Sequence, residues 1–128
     1  MTNTQSNIQS VTVIIPTLNE EQNIDPLLKK LSKIEIKDHA LKVLFVDDQS
    51  SDATVEKINA WNQVNPNISV LNRIGSADLT QAILDGVKHS DSDIIAVMDA
   101  DLSHPTEKLP ELFEPIINNT HDVTVGSR

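Results

Sequence analysis

Asp99 and Asp101 stand one residue apart, separated only by Ala100. In extended backbone, residues i and i+2 point the same way. Two carboxylates so placed can share one hard cation, with water and phosphate oxygens completing the shell, as magnesium is held in phosphate-transferring sites. Without a cation the two charges repel, and one carboxyl tends to keep its proton. An Asp-x-Asp can equally be a turn and helix cap. Asp47-Asp48 is a second acidic pair. One of its members can shape a turn while the other accepts hydrogen bonds from nucleobase N–H or ribose hydroxyl groups. Arg73 is the only arginine before Arg128. Its fork suits a diphosphate, although a solvated surface arginine is the competing reading. His39, His89 and His121 are scattered without ligand spacing, and only His104 lies near an acidic pair, three residues past Asp101.

Other chemistries are excluded by composition. The chain has no cysteine, so thiol nucleophiles, disulfides and thiolate zinc sites are absent. It has neither a Gly-x-Ser-x-Gly elbow nor a Walker-type phosphate loop. Three glycines, Gly75, Gly86 and Gly126, cannot make a dinucleotide fingerprint. The formal net charge is −9. Residues 1–46 balance five acids with five lysines, and residues 47–128 hold 14 acids against five bases. An acidic chain with 2% aromatic residues lacks both the basic footprint and the stacking platforms that nucleic acid requires.

The elements that must position these groups read as alternating strands and helices. Val11 to Ile15 is an apolar, β-branched run ended by Pro16, which predicts a buried strand. Asn19-Glu20-Glu21-Gln22 has a capping-box pattern, with Asn19 as the cap of a helix carrying Ile24, Leu27, Leu28, Leu31 and Ile34 inward. A strand over Leu41 to Val46 follows. Asp52 then caps a helix from Ala53 to about Asn65, with Val55, Ile58, Trp61 and Val64 inward. Ile68 to Leu71 is a third strand. Asp78-Leu79-Thr80-Gln81 is another capping box, opening a helix to about His89. Ile94 to Met98 is a fourth strand, Pro105 and Thr106 introduce a helix through Ile117, and Val123 to Val125 is a fifth strand.

At 128 residues this is one domain, read as a polar extension over residues 1–10 and a folded unit over 11–128. No run approaches the roughly 18 apolar residues of a membrane span. Strands apolar on both faces favour an α/β fold with a mostly parallel sheet and helices on both faces. Ligands of such sheets bind outside the carboxyl ends of the strands. Asn19 and Glu20, Asp47 and Asp48, Arg73, and Asp99 and Asp101 all follow strands, so the polar clusters fall on one rim.

Five segments in this order resemble the family 2 glycosyltransferases, most closely the branch acting on dolichyl or polyprenyl phosphate. They are Val13-Ile14-Ile15-Pro16-Thr17-Leu18-Asn19-Glu20, Val46-Asp47-Asp48-Gln49-Ser50-Ser51-Asp52-Ala53-Thr54, Arg73-Ile74-Gly75, Met98-Asp99-Ala100-Asp101-Leu102-Ser103-His104-Pro105 and Gly126-Ser127-Arg128. The resemblance implies a Rossmann-like, nucleotide-sugar-binding half of a GT-A fold. It implies that Pro16, Thr17, Asn19 and Glu20 line the nucleoside, that Asp48 meets the base and that Asp47 shapes the turn. Asp99 then contacts ribose or metal, Asp101 holds Mg²⁺ or Mn²⁺, and Arg73 serves the donor site. The implied reaction is inverting transfer of mannose or glucose from a GDP- or UDP-sugar to a lipid phosphate, by a cytoplasmic chain peripheral to the membrane.

This sequence departs from the family pattern in three places. Leu18 stands where an aromatic is usual. Ser76, Ala77 and Asp78 replace basic residues and a glycine before Leu79, setting a negative helix cap beside the expected diphosphate. The acceptor-binding half is not found before Arg128, which implies an excised or truncated piece, or a second chain that completes it. Two other readings compete. One is a non-catalytic or degenerate nucleotide-sugar or metal-binding module. The other is a phosphoacceptor receiver domain, disfavoured because its acidic pair follows the first strand, whereas this one follows the second.

Overall fold

The structure, a computed structural model, describes residues 10–34, 40–92 and 94–100 and the backbone of 123–125. Its strands are β1 (Ser10–Thr17), β2 (Ala40–Asp47), β3 (Ile68–Asn72), β4 (Ile94–Val97) and β5 (Val123–Val125). Between them lie α1 (Glu21–Leu31), α2 (Thr54–Val64) and α3 (Leu79–His89). The sheet has the order β3-β2-β1-β4-β5 and every pair is parallel. The expected helix from Pro105 through Ile117, together with Asp101, His104 and Gly126-Ser127-Arg128, lies outside the described residues. Among the described residues no helix is long and apolar enough to cross a membrane.

Val13 to Ile15, Val43 to Val46 and Ile94 to Val97 are apolar without a break because both faces are covered. Val11, Val13 and Ile15 of β1, Val43 and Phe45 of β2, and Ile94 and Ala96 of β4 pack with Ile24, Leu27, Leu28 and Leu31 of α1 and Ile58 of α2. The alternate residues Ile14, Leu44, Val46, Ile95 and Val97 form a second layer with Ala82 of α3. Burying each large side chain contributes roughly 1.5–3 kcal/mol. α3 sits close to its face: a Cβ on Gly86 would lie 2.9 Å from both Ile14 Cγ2 and Val46 Cγ2.

Three local expectations are corrected. β1 does not stop at Pro16 but runs to Thr17, paired with β2 through Thr17↔Asp47. The Ile14 carbonyl accepts from Met98 N–H at 3.0 Å, so Ile14 faces β4. Pro16, two residues on, faces the same side, past the last β1–β4 pair, Ile14↔Val97. Its missing N–H therefore costs no rung of the ladder. The cap of α1 is Glu20, which makes no side-chain cap bond, because Asn19 is used elsewhere. Val64 is 77% exposed. At 3.6 residues per turn it is rotated about 120° from Ile58, and α2 ends before its buried stripe returns.

Candidate functional site

Register brings the carboxyl ends of three strands level. Thr17 pairs with Asp47, and Asp47 with Asn72. One further rung continues into the loops, where Asp48 N–H donates to the Thr17 carbonyl and Arg73 N–H to the Asp47 carbonyl, both at 2.9 Å. Two buried carboxylates emerge here, and burial of a charge is tolerated only with partners. Asp47, 2% exposed, accepts from Thr17 Oγ1 at 2.7 Å, Ser50 N–H at 2.8 Å and Ser50 Oγ at 2.6 Å. It shapes the turn after β2, and all its contacts are internal.

The loops after β1 and β2 are stitched together. Asn19 adopts φ 57°, a left-handed conformation that asparagine tolerates. Its Oδ1 accepts from Ser51 N–H at 2.8 Å and from Asp52 N–H at 3.3 Å, while its own N–H donates to Ser50 Oγ at 2.7 Å. Glu20 N–H donates to Thr54 Oγ1 at 2.9 Å, and Ala53 N–H to Glu21 Oε1 at 3.1 Å. The cap of α2 is not Asp52, as expected, but Ala53, which makes no side-chain cap bond; Asp52, one residue earlier, accepts at Oδ1 from Thr54 N–H at 3.0 Å. Burial opposes ionisation of Asp52, yet the Thr54 hydrogen bonds outweigh it and lower its pKa.

The strand order reverses at β1, with β2 and β3 on one side and β4 and β5 on the other. A crevice at such a switch point is the usual ligand site of open α/β sheets. Here a cavity of about 440 Å³ opens at that place. Pro16, Thr17, Leu18 and Glu20 supply one wall, Asp48 and Asp99 the acidic flanks, and Asp78, Leu79 and Ala82 of the α3 entrance the other wall. Five of the expected site residues, Pro16, Thr17, Glu20, Asp48 and Asp99, thus meet at one cavity. Asn19 is not among its lining residues and serves the loop junction instead. Asp101 lies outside the described residues.

Arg73 is drawn inward. Its Nη1 donates to Asp48 Oδ1 at 2.6 Å and to the Ser76 carbonyl at 3.2 Å, and its Nε to Asp85 Oδ2 at 2.8 Å. The side chains of Arg73 and Asp48 are each 9% exposed. The Asp85 hydrogen bond, with the charge of Asp48, raises the Arg73 pKa against the opposing effect of burial. Arg73 in turn holds the Asp85 carboxyl below its usual range, helped by Gln81. In this arrangement Arg73 fixes Asp48, and its Nε and Nη1 are committed to protein oxygens.

Asp78 caps α3 through a bond from Gln81 N–H to its Oδ1 at 3.0 Å, as the capping-box pattern predicts. The reciprocal half differs: Gln81 Nε2 donates to Asp85 Oδ1 at 2.8 Å, and Asp78 N–H donates to Asp48 Oδ2 at 2.8 Å. Asp78, expected as a negative helix cap beside the donor site, lines the cavity, and Leu79 and Ala82, which carried no such expectation, line it with Asp78. Among the described residues no group of three acidic or histidine side chains forms a metal cage. Magnesium needs only one or two carboxylates beside phosphate oxygens. Asp99, exposed at the end of β4 and lining the cavity, is a hard oxygen donor that fits this demand.

Comparison with known proteins agrees with this geometry. The family model described as glycosyl transferase family 2 matches residues 12–128. The chain is 38% identical over 123 residues to a dolichol-phosphate mannosyltransferase of Pyrococcus furiosus, covering 92% of this chain and 33% of that protein. It is 36% identical over 118 residues to the dolichol-phosphate mannosyltransferase of Saccharomyces cerevisiae, covering 91% and 43%. The chain thus spans less than half the length of these curated relatives. A mannosyltransferase of Pyrobaculum calidifontis, solved with GDP-Man and Mn²⁺, superposes with a TM-score of 0.65 at 24% identity, over 80% of this chain and 30% of that one. That likeness establishes the Rossmann-like GT-A fold. With the match running from β1 through the β5 segment, and the acidic rim at the switch point, the chain belongs to glycosyl transferase family 2.

Proposed function

We propose that the chain provides the donor-binding half of a glycosyltransferase that moves a hexose, mannose or glucose, from GDP or UDP to a polyprenyl or dolichyl phosphate. The observation that carries this reading is the convergence of Pro16, Thr17, Glu20, Asp48 and Asp99 on one switch-point cavity. The relatives' names support a mannosyl or related transfer to dolichol phosphate, and the ligands of the P. calidifontis enzyme support a nucleotide sugar with Mn²⁺.

In the proposed reaction an oxygen of the acceptor phosphate attacks the anomeric carbon of the sugar. The bond from that carbon to the nucleoside diphosphate breaks with inversion, and the diphosphate leaves with the electron pair. Asp48 holds the base through an N–H, while Thr17 and Glu20 line the nucleoside. Asp99 and Asp101 are the residues that would hold Mg²⁺ or Mn²⁺, which when bound neutralises charge developing on the leaving diphosphate. A phosphate acceptor is anionic near neutral pH, so attack needs no strong general base. An acceptor carried by a lipid places the reaction at a membrane surface.

A thermal-shift and calorimetric panel of UDP, GDP and their mannose and glucose conjugates, with and without Mn²⁺, tests the reading. Mn²⁺ is expected to strengthen nucleotide binding, and Asp101→Ala to abolish that gain while leaving the fold intact. Nucleotide affinity that is the same in Mn²⁺ and in EDTA removes the metal assignment. Binding of nucleotide and sugar nucleotide without turnover on added polyprenyl phosphate points instead to a binding module.

A further inference from the structure

Asp48, Asp78, Gln81, Asp85 and Arg73 form a closed circuit of hydrogen bonds. Asp48 Oδ2 accepts from Asp78 N–H, Asp78 Oδ1 from Gln81 N–H, and Asp85 Oδ1 from Gln81 Nε2. Arg73 then closes it, with Nε on Asp85 Oδ2 and Nη1 on Asp48 Oδ1. Every link is between 2.6 and 3.0 Å. Both oxygens of Asp48 are therefore held, one from each direction around the circuit.

We infer that Asp85 is a positioning residue for the nucleobase end of the cavity, acting through Arg73 on Asp48. The inference rests on the nucleotide-binding reading above. Asp85 sits on α3, two helical turns past the cap, with a side chain 32% exposed. Asp85 is absent from the cavity lining, whereas Asp48 is part of it.

The physical argument is one of geometry. An arginine held by a single carboxylate can pivot about that contact, whereas one bonded through Nε and Nη1 to carboxylates on two elements is fixed in its plane. Asp85, itself braced by Gln81 four residues earlier on the same helix face, anchors the Arg73 plane to α3. That plane sets where Asp48 Oδ1 lies, and the Asp78 amide sets Oδ2. The remaining acceptor directions of Asp48 then point in a defined way toward a base N–H. A carboxylate placed by a rigid surround binds more tightly than one that must be ordered on binding.

The test uses Asp85→Ala and Asp85→Asn in the full chain. In Asp85→Asn the amide oxygen can still accept from Arg73 Nε, and Gln81 can turn its own amide to complete the pair. Asp85→Ala is expected to weaken the tighter of UDP and GDP about tenfold, the size of one lost charge-assisted bond. Asp85→Asn is expected to fall between it and the parent chain. Affinity for Mn²⁺-pyrophosphate, which lacks the base, should not change, and a merely structural role would not separate the two ligands. In the ligand-free protein, the Asp78 amide resonance reports its bond to Asp48 and should shift in Asp85→Ala. An unmoved Asp78 amide, or parental UDP and GDP affinity in Asp85→Ala, overturns the inference. A parent chain that binds neither nucleotide overturns the nucleotide reading, and with it the binding role assigned to Asp85, even if the amide shifts.

Discussion

Thr17 Oγ1 donates to Asp47 Oδ1 at 2.7 Å, joining the carboxyl ends of β1 and β2 beneath the cavity. Both side chains are almost wholly buried. Replacing Asp47 with alanine leaves the Thr17 hydroxyl, the Ser50 N–H and the Ser50 hydroxyl without this acceptor. Each stranded donor costs about 1–3 kcal/mol, and with the two Ser50 donors only part-buried the low end applies, so Asp47→Ala should lose roughly 3–4 kcal/mol in urea unfolding. Against a typical total of about 5–15 kcal/mol that is a large share. Asp47→Asn sets an amide NH₂ against one of the donors and should lose about 1–2 kcal/mol. Parental stability in Asp47→Asn would mean that the carboxylate charge is not what holds the turn.

Gly86 on α3 tests how closely that helix packs on the sheet. An added methyl would meet Ile14 and Val46 at 2.9 Å, and both are fully buried side chains with little room to yield. Overpacking of this kind costs about 1–3 kcal/mol. The helix itself gains about 0.5–1 kcal/mol when glycine becomes alanine. The first effect wins, and Gly86→Ala should be destabilised by about 1–2 kcal/mol in chemical denaturation. A stabilised variant would show that α3 can move outward freely.

Acid should weaken the fold through identifiable carboxylates. The Trp61 indole N–H, at 2.8 Å, and then Lys57 lower the pKa of Asp25 against the opposing effect of burial. Arg73 lowers that of Asp85. A carboxyl depressed in the folded chain binds its proton more readily after unfolding, so its stabilisation is present above about pH 4 and is lost as pH falls through the folded value. The thermal midpoint should therefore hold between about pH 7 and 5 and drop below about pH 4. Asp25→Asn should lie below the parent at neutral pH and converge with it in acid. A gap that stays constant with pH would assign the effect to packing.

The legible part of this molecule is what local pattern decides. The unbroken runs at Val11–Ile15 and Ile94–Val97 announced a sheet covered on both faces, and the polar residues after each strand announced one rim. Inward spacing at Ile24, Leu27, Leu28 and Leu31 described α1 correctly. What failed depended on partners distant in the chain. Asn19 had the composition of a helix cap, but a left-handed backbone turned its carbonyl oxygen to Ser51 and Asp52. Arg73 had the chemistry of a diphosphate ligand, and the sequence did not show that its Nε and Nη1 bond Asp85 and Asp48. Asp85 carried no motif at all, because its place in the circuit exists only once α3 docks on β1 and β2.

Asp78 puts a fourth carboxylate, with Glu20, Asp48 and Asp99, on the wall of the cavity. Its two structural tasks do not need its charge. The backbone N–H reaches Asp48 whatever the side chain, and asparagine caps a helix about as well as aspartate. Asp78→Asn should therefore keep the thermal midpoint, while Asp78→Ala should lose about 1 kcal/mol with the cap. Removing the charge should help an anionic ligand, since one charge pair at a rim is on the order of 1 kcal/mol. Metal-free binding of UDP or GDP is then expected to tighten roughly fivefold in Asp78→Asn. The gain should shrink in saturating Mn²⁺, where the diphosphate charge is already offset, and in high salt, where the Debye length shortens to a few ångström, about 3 Å at 1 M. Isothermal titration at low and high ionic strength measures all of these. Unchanged metal-free affinity at low salt would place the diphosphate away from the α3 entrance.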